Sequence, residues 1–166
     1  EVASACNAMA GVLRRRQERE TKLTLARRKL TAAETNGSAD GRAMARREIG
    51  DLLVQLNGDL LEAQEFLTGT DHPLAEAADL SQAIATGQPV DAEALLKAVA
   101  AVRDAVKTAE VPTQRKLFLA GLSLCDAYDA IPQTPGQDAI GAMYRRALRR
   151  AAGLTETADY VEAITE

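Results

Sequence analysis

Between Gly50 and Pro73 the chain reads GDLLVQLNGDLLEAQEFLTGTDHP, and the punctuation of this stretch constrains the fold more than any other feature. Ile49, Leu52, Leu53 and Leu56 keep the i, i+3, i+4, i+7 spacing of one helix face, Asn57-Gly58 interrupts it, and Leu60, Ala63 and Leu67 resume it. Asp59 with Glu62 three residues later has the form of a capping box, so a second helix should begin where the first stops. Gly69 should stop that one in turn. The pattern is punctuation for helix packing and contains no reactive group, so it predicts an array of short packed helices.

The same signals recur along the chain, and composition removes the competing class. Apolar residues are mostly Ala and Leu; three Tyr, two Phe and no Trp leave few strand-favouring aromatics, and no Val/Ile/Thr alternation appears. The expectation is an all-α stacked helical bundle with a long N-terminal helix and roughly eight helices. Helices are predicted at 3–34, 42–56, 60–68, 73–86, 92–108, 113–130, 137–152 and 156–164, with TNGSADG (35–41) as a loop. Asp71 before Pro73, Asp91 before Ala92, Thr113 after Pro112, and Thr134-Pro135 with Gln137 are the expected start signals. Leu95, Val99, Val102 and Val106 form a clean stripe. Leu117, Phe118, Leu122, Leu124 and Cys125 leave their helix apolar nearly all round, which makes it the expected central helix, with Gly121 permitting a close crossing.

The first helix is uneven. Val2, Cys6, Met9 and Leu13 share one face and Leu23, Ala26 and Leu30 resume it, but residues 14–22 carry no large apolar side chain. Both ends are expected to pack, with the middle solvated or resting on a partner. Charge is polarised in the same way. Residues 1–47 carry 11 Lys+Arg against 5 Asp+Glu, a net +6, whereas 48–166 carry 9 against 19, a net −10. From Glu48 to Leu96 there are ten acids and no Lys or Arg, a run that disfavours nucleic acid and suits a basic protein partner, unless acidic and basic helix faces neutralise each other within the domain. Glu62, Glu65, Glu76 and Asp79 are the candidate partner residues on the acidic side, and Arg14, Arg15, Arg16 and Arg19 on the basic stripe.

A search for chemistry returns little. His72, the single histidine, stands in a turn between Asp71 and Pro73, where capping or solvent exposure accounts for it. Glu62/Glu65 and Glu76/Asp79 are spaced three apart, as in di-metal carboxylate bundles, but the Glu-x-x-His such sites need is absent. No GxxxxGK[ST] or GxGxxG loop occurs. The basic pairs Arg115-Lys116, Arg145-Arg146 and Arg149-Arg150 lack interleaved aromatics, Tyr144 aside, so nucleic-acid binding is not expected. Cys6 and Cys125 read as two small buried hydrophobes in a reduced, intracellular protein. No membrane span is expected, since no window of about 18 apolar residues exists. The opening Glu1, with no signal peptide at either end, suggests a piece trimmed from something longer. No catalytic residue, metal or cofactor is assigned.

The order of elements adds a resemblance. A long Arg- and Glu-rich first helix is followed by the break Leu53-Val54-Gln55-Leu56-Asn57-Gly58, the short LLEAQEFL, the turn Asp71-His72-Pro73, then VPTQRKLFLAGLSL and MYRRAL. Over most of residues 1–166 this resembles the gatekeeper family of bacterial type III secretion systems. The resemblance implies a monomeric rod of stacked bundles in the bacterial cytoplasm, at the secretion apparatus, or itself secreted. It would bind export machinery or chaperone–translocator complexes, hold back effectors and let translocators leave first, without catalysis. Residues 1–36 would be the long helix, 37–133 the first bundle, and 134–166 helices leading into a following one. The alternative is another helical interaction protein, such as a secretion chaperone, a secreted effector or an adaptor, using its first helix for self-assembly.

Overall fold

The computed structural model describes the backbone of residues 2–132 and 137–154 and the side chains of 6–132 and 138–154. These residues form seven helices and no strand: α1 (Val2–Thr35), α2 (Ala39–Asn57), α3 (Leu60–Leu67), α4 (Ala75–Ala85), α5 (Ala92–Thr108), α6 (Val111–Ala130) and α7 (Gln137–Ala151). The helix expected at 156–164 and the Thr134-Pro135 start signal lie outside the described residues. None of the seven helices is long and apolar enough to cross a membrane.

The break at Asn57-Gly58 works as its residues dictate. Gly58 adopts a left-handed conformation (φ 65°) and its N–H bonds the Val54 carbonyl, closing α2. A Cβ there would stand 2.5 Å from the Thr113 carbonyl oxygen, so glycine is required for space as well as for dihedral angle. Asp59 then caps α3, its carboxylate accepting from the N–H groups of Leu61 and Glu62. Only half of the expected capping box forms, because Glu62 accepts from the Asn57 side-chain amide instead of reaching back to Asp59. Asp91 caps α5 through the Ala94 N–H.

Three starts differ from the sequence expectation. Ser38 accepts from the Gly41 N–H and starts α2 at Ala39, inside the stretch expected to be loop. Pro73 stays outside α4, which begins at Ala75. α6 begins two residues early, at Val111, because Pro112 fits a first helical turn, where its missing N–H has no partner to lose.

One apolar core joins the helices. Leu95, Val99, Val102 and Val106 of α5 are all buried, as are Leu117, Phe118, Leu124 and Cys125 of α6, and Leu122 is packed against them. α6 is the central helix, touching α2, α4, α5 and α7. At Gly121 the helices come so close that a Cβ would lie 2.7 Å from Leu148 Cδ2 and 3.2 Å from Val102 Cγ1, so α7 seats Leu148 where a side chain would otherwise be. Gly50 does the same for α3, since a Cβ there would sit 2.3 Å from Leu67 Cδ2.

α1 packs through its second half alone. Leu23, Ala26, Leu30 and Ala33 lie toward α2, but Met9 is 66% and Leu13 61% exposed, so the N-terminal apolar face does not pack as expected. Length explains it. At 1.5 Å per residue α1 extends about 51 Å and α2 about 28 Å, so α2 can cover little more than half of α1. The remainder is an overhanging arm.

Candidate functional site

The basic stripe divides once the arm is placed. Arg14 and Arg16 are exposed, Arg16 pairing within the helix to Glu20 at 3.1 Å. Arg15 and Arg19 instead turn toward the corner between α5 and α6, where both bond Glu110: Arg15 Nε donates to Oε1 at 2.8 Å and Arg19 Nη1 to Oε2 at 3.2 Å. The Arg15 hydrogen bond, which outweighs burial, holds the Glu110 carboxyl below the usual carboxylate range, with Arg19 adding to it. Two of the four arginines therefore tie the arm down.

The acidic run divides similarly. Cations from flanking segments meet three of its ten carboxylates: Lys29 bonds Glu48, Arg47 bonds Asp71 and Lys97 bonds Glu76. Asp79 accepts from Gln64 and Thr68, which joins α4 to α3. Of the four candidate acids, Glu62 and Glu65 are exposed on α3, while Glu76 and Asp79 are half-buried and engaged. The internal neutralisation that the charge pattern left open is thus present at part of the run, and the open carboxylates that remain include Glu62 and Glu65 of α3 and Glu93 at the start of α5.

A cleft of about 630 Å³ lies behind Arg19, between α2, the α3–α4 turn and the α5–α6 corner. Its floor is apolar, with Val54, Leu74, Ala101, Ala105 and Leu117. His72 is on its wall with a side chain only 10% exposed, so its ring faces inward while Asp71 and Pro73 beside it stay exposed, and the expectation of solvent exposure for His72 is overturned. Capping holds in part, since Nδ1 accepts the Leu74 N–H at 3.1 Å just before α4. That bond places the ring proton on Nε2, which points at Asp51 Oδ1 3.4 Å away. The His72 bond is the main cause that lowers the Asp51 pKa; burial opposes it and a bond from Gln55 adds to it. The cleft's hydroxyls are occupied as well, Thr108 donating to the Ala105 carbonyl and Thr113 to the Gln55 carbonyl. Its polar wall is closed upon itself.

Sequence patterning pointed to neither this inward histidine nor the Glu110 grip, because both join segments far apart in the chain. Cys125 is buried and its thiol is pushed up to about 11 by burial, but Cys6 is exposed on the arm, contrary to the expectation that both are core residues. Nearby, Arg145 of α7 bonds both Asp126 and Asp129, fastening α7 to α6. Among the described residues no group of three His, Cys, Asp or Glu side chains is placed to hold a metal ion. No protein-family model, curated protein or solved structure matches this chain.

Proposed function

We propose that this protein is a non-catalytic regulatory binding module of the type III secretion gatekeeper kind, which sets substrate order by holding export machinery or a chaperone–translocator complex at the cytoplasmic face of the apparatus. The observation that carries this reading is the order of elements on which the resemblance rests: a long basic helix, the Gly58 break, a short acidic α3 and the apolar α6. The open surfaces suit binding. α3 presents Glu62 and Glu65 to solvent, and the arm presents Arg14 and Arg16.

The test replaces Glu62 and Glu65 by Lys, two positions whose carboxylates meet no cation, and compares secreted proteins from bacteria carrying wild type or variant under non-inducing conditions. The expected outcome is early release of effectors or poor export of translocators from a variant whose circular dichroism is unchanged. Identical secretion from an equally abundant, folded variant would remove α3 as the partner surface. The exposed pair Met9 and Leu13 favours the second reading, a helical interaction protein that self-assembles through α1. Light scattering separates the two, because the gatekeeper reading expects a monomer.

A further inference from the structure

Glu110 stands in the two-residue link between α5 and α6, immediately before the first turn of α6, yet its side chain caps nothing on that helix. Its carboxylate is given wholly to α1. Across 95 and 91 positions of sequence, Arg15 takes one oxygen and Arg19, one helical turn away, reaches both. Among the described residues, no other side chain from Cys6 to Lys22 reaches the bundle by a hydrogen bond or ion pair. The arm therefore displays a working carboxylate grip, and the carboxylate in it comes from the chain itself.

The faces of the arm say what else could fill that grip. At about 100° per residue, Arg15 and Arg19 lie about a third of a turn from the exposed apolar pair Met9 and Leu13, with Val12 and Arg16 between them. A helix laid along this side would meet the Arg15 and Arg19 guanidinium groups on one flank and Met9 and Leu13 on the other, with the Glu20 carboxylate beyond Leu13 already paired to Arg16. Its complement is an amphipathic helix with carboxylates one turn apart beside an apolar row.

We propose that the arm of α1 is a docking surface for an acidic amphipathic helix of a partner protein, and that Glu110 is its internal competitor, occupying the Arg15–Arg19 grip until the partner's carboxylate displaces it. Tethering gives Glu110 a high effective concentration at the grip. The tie is only half-buried and open to water on its Arg15 side, where an ion pair contributes little stability, so an external carboxylate backed by apolar contact displaces it. The exchange also frees the arm from the α5–α6 corner and uncovers the cleft that Arg19 walls. The proposal rests on the reading of α1 as a partner surface, but not on the type III secretion assignment.

The test uses the full chain and a fluorescein-labelled helical peptide with Glu at i and i+4 beside a Leu row, followed by anisotropy at low salt. Glu110→Gln should bind the peptide about three- to five-fold more tightly than wild type, the upper end of what an ion pair open to water contributes. Without peptide, the same substitution should speed amide hydrogen exchange in residues 6–19 and leave 23–35 unchanged. Arg15→Ala with Arg19→Ala in the Glu110→Gln background should abolish the gain, whereas Arg27→Ala with Arg28→Ala, two exposed arginines on the packed half of α1, should leave it intact. The proposal is overturned if the peptide binds neither protein or if Glu110→Gln binds no better than wild type. Equal loss from the Arg27/Arg28 pair overturns it too, since that outcome is unspecific charge attraction. Because the titration is done in vitro, it decides the competitor idea even where the secretion comparison fails.

Discussion

α6 and the arm of α1 are both continuous helix with apolar residues in plenty, but one sits between four other helices and the other overhangs the bundle. α6 meets four neighbours, and its polar residues Arg115, Lys116, Ser123, Asp126 and Asp129 occupy the surface left between them. The arm carries Val12, Leu13 and Met9 beyond the reach of α2 and is fixed by a single carboxylate. Apolar content says that a helix could be buried. Whether it is depends on the length and placement of its neighbours, which a local pattern does not contain.

The contrast can be broken most forcefully from the α6 side. Phe118→Ala should destabilise the protein by about 3–5 kcal/mol, read as a lowered urea midpoint; an unchanged midpoint would show α6 to be peripheral. Gly58→Ala should cost about 2 kcal/mol, from the left-handed backbone together with the collision against Thr113. Gly69→Ala, at φ 73° with open space around the position, should cost about 1 kcal/mol. Equal losses at the two glycines would mean that the α2–α6 contact at Thr113 is not tight.

On the arm the effects should be small. Arg15→Ala with Arg19→Ala should lower global stability by less than about 1 kcal/mol, and Leu13→Ser by less than about 0.5 kcal/mol, both by denaturant melting. A loss of several kcal/mol from either would place the arm in the cooperative core. The two cysteines report the same division without mutation. At pH 8 a thiol titrating near 11 is about one-thousandth thiolate, so Cys125 should stay silent toward a thiol reagent until the protein unfolds, while Cys6 reacts at once.

Acid gives the subtlest test. The Glu110 pKa is lower folded than unfolded, so its contribution is complete above the ordinary carboxylate range and is lost as pH falls through the folded value. Helicity near pH 4 should therefore decline slightly more in wild type than in Glu110→Gln, relative to each protein at pH 7, by circular dichroism. Superimposable acid titrations would remove the Glu110 tie as the acid-sensitive element of the arm.

Much of the bundle was legible because the relevant physics is local. The α5 stripe fell on the core face at every position, Gly58 stopped α2, and Asp59 and Asp91 capped their helices as their residue types require. Ser38 was equally readable in principle, since it precedes the α2 pattern directly, but the polar run around it has the composition of a loop. The candidate surfaces were read less well. Counting charges along Glu48–Leu96 could not show that Lys29, Arg47 and Lys97 reach in from outside the run, nor that Glu110 would claim Arg15 and Arg19. Those contacts depend on how the helices fold back, as does the inward turn of His72.

Most helices here pack against the next in sequence, so the bundle can assemble progressively as the chain is made, with little loop-closure entropy at each step. The Glu110 tie, across 95 positions, is among the contacts that must wait, together with α2–α6, α4–α6 and α5–α7. α1 and α2 can pair once Asn57 has emerged, but at roughly 5–20 residues per second the arm waits several seconds more for the carboxylate that will hold it. During that interval the basic, partly apolar arm is bare on the nascent chain, which makes synthesis itself the first occasion on which a cellular factor can reach it unopposed.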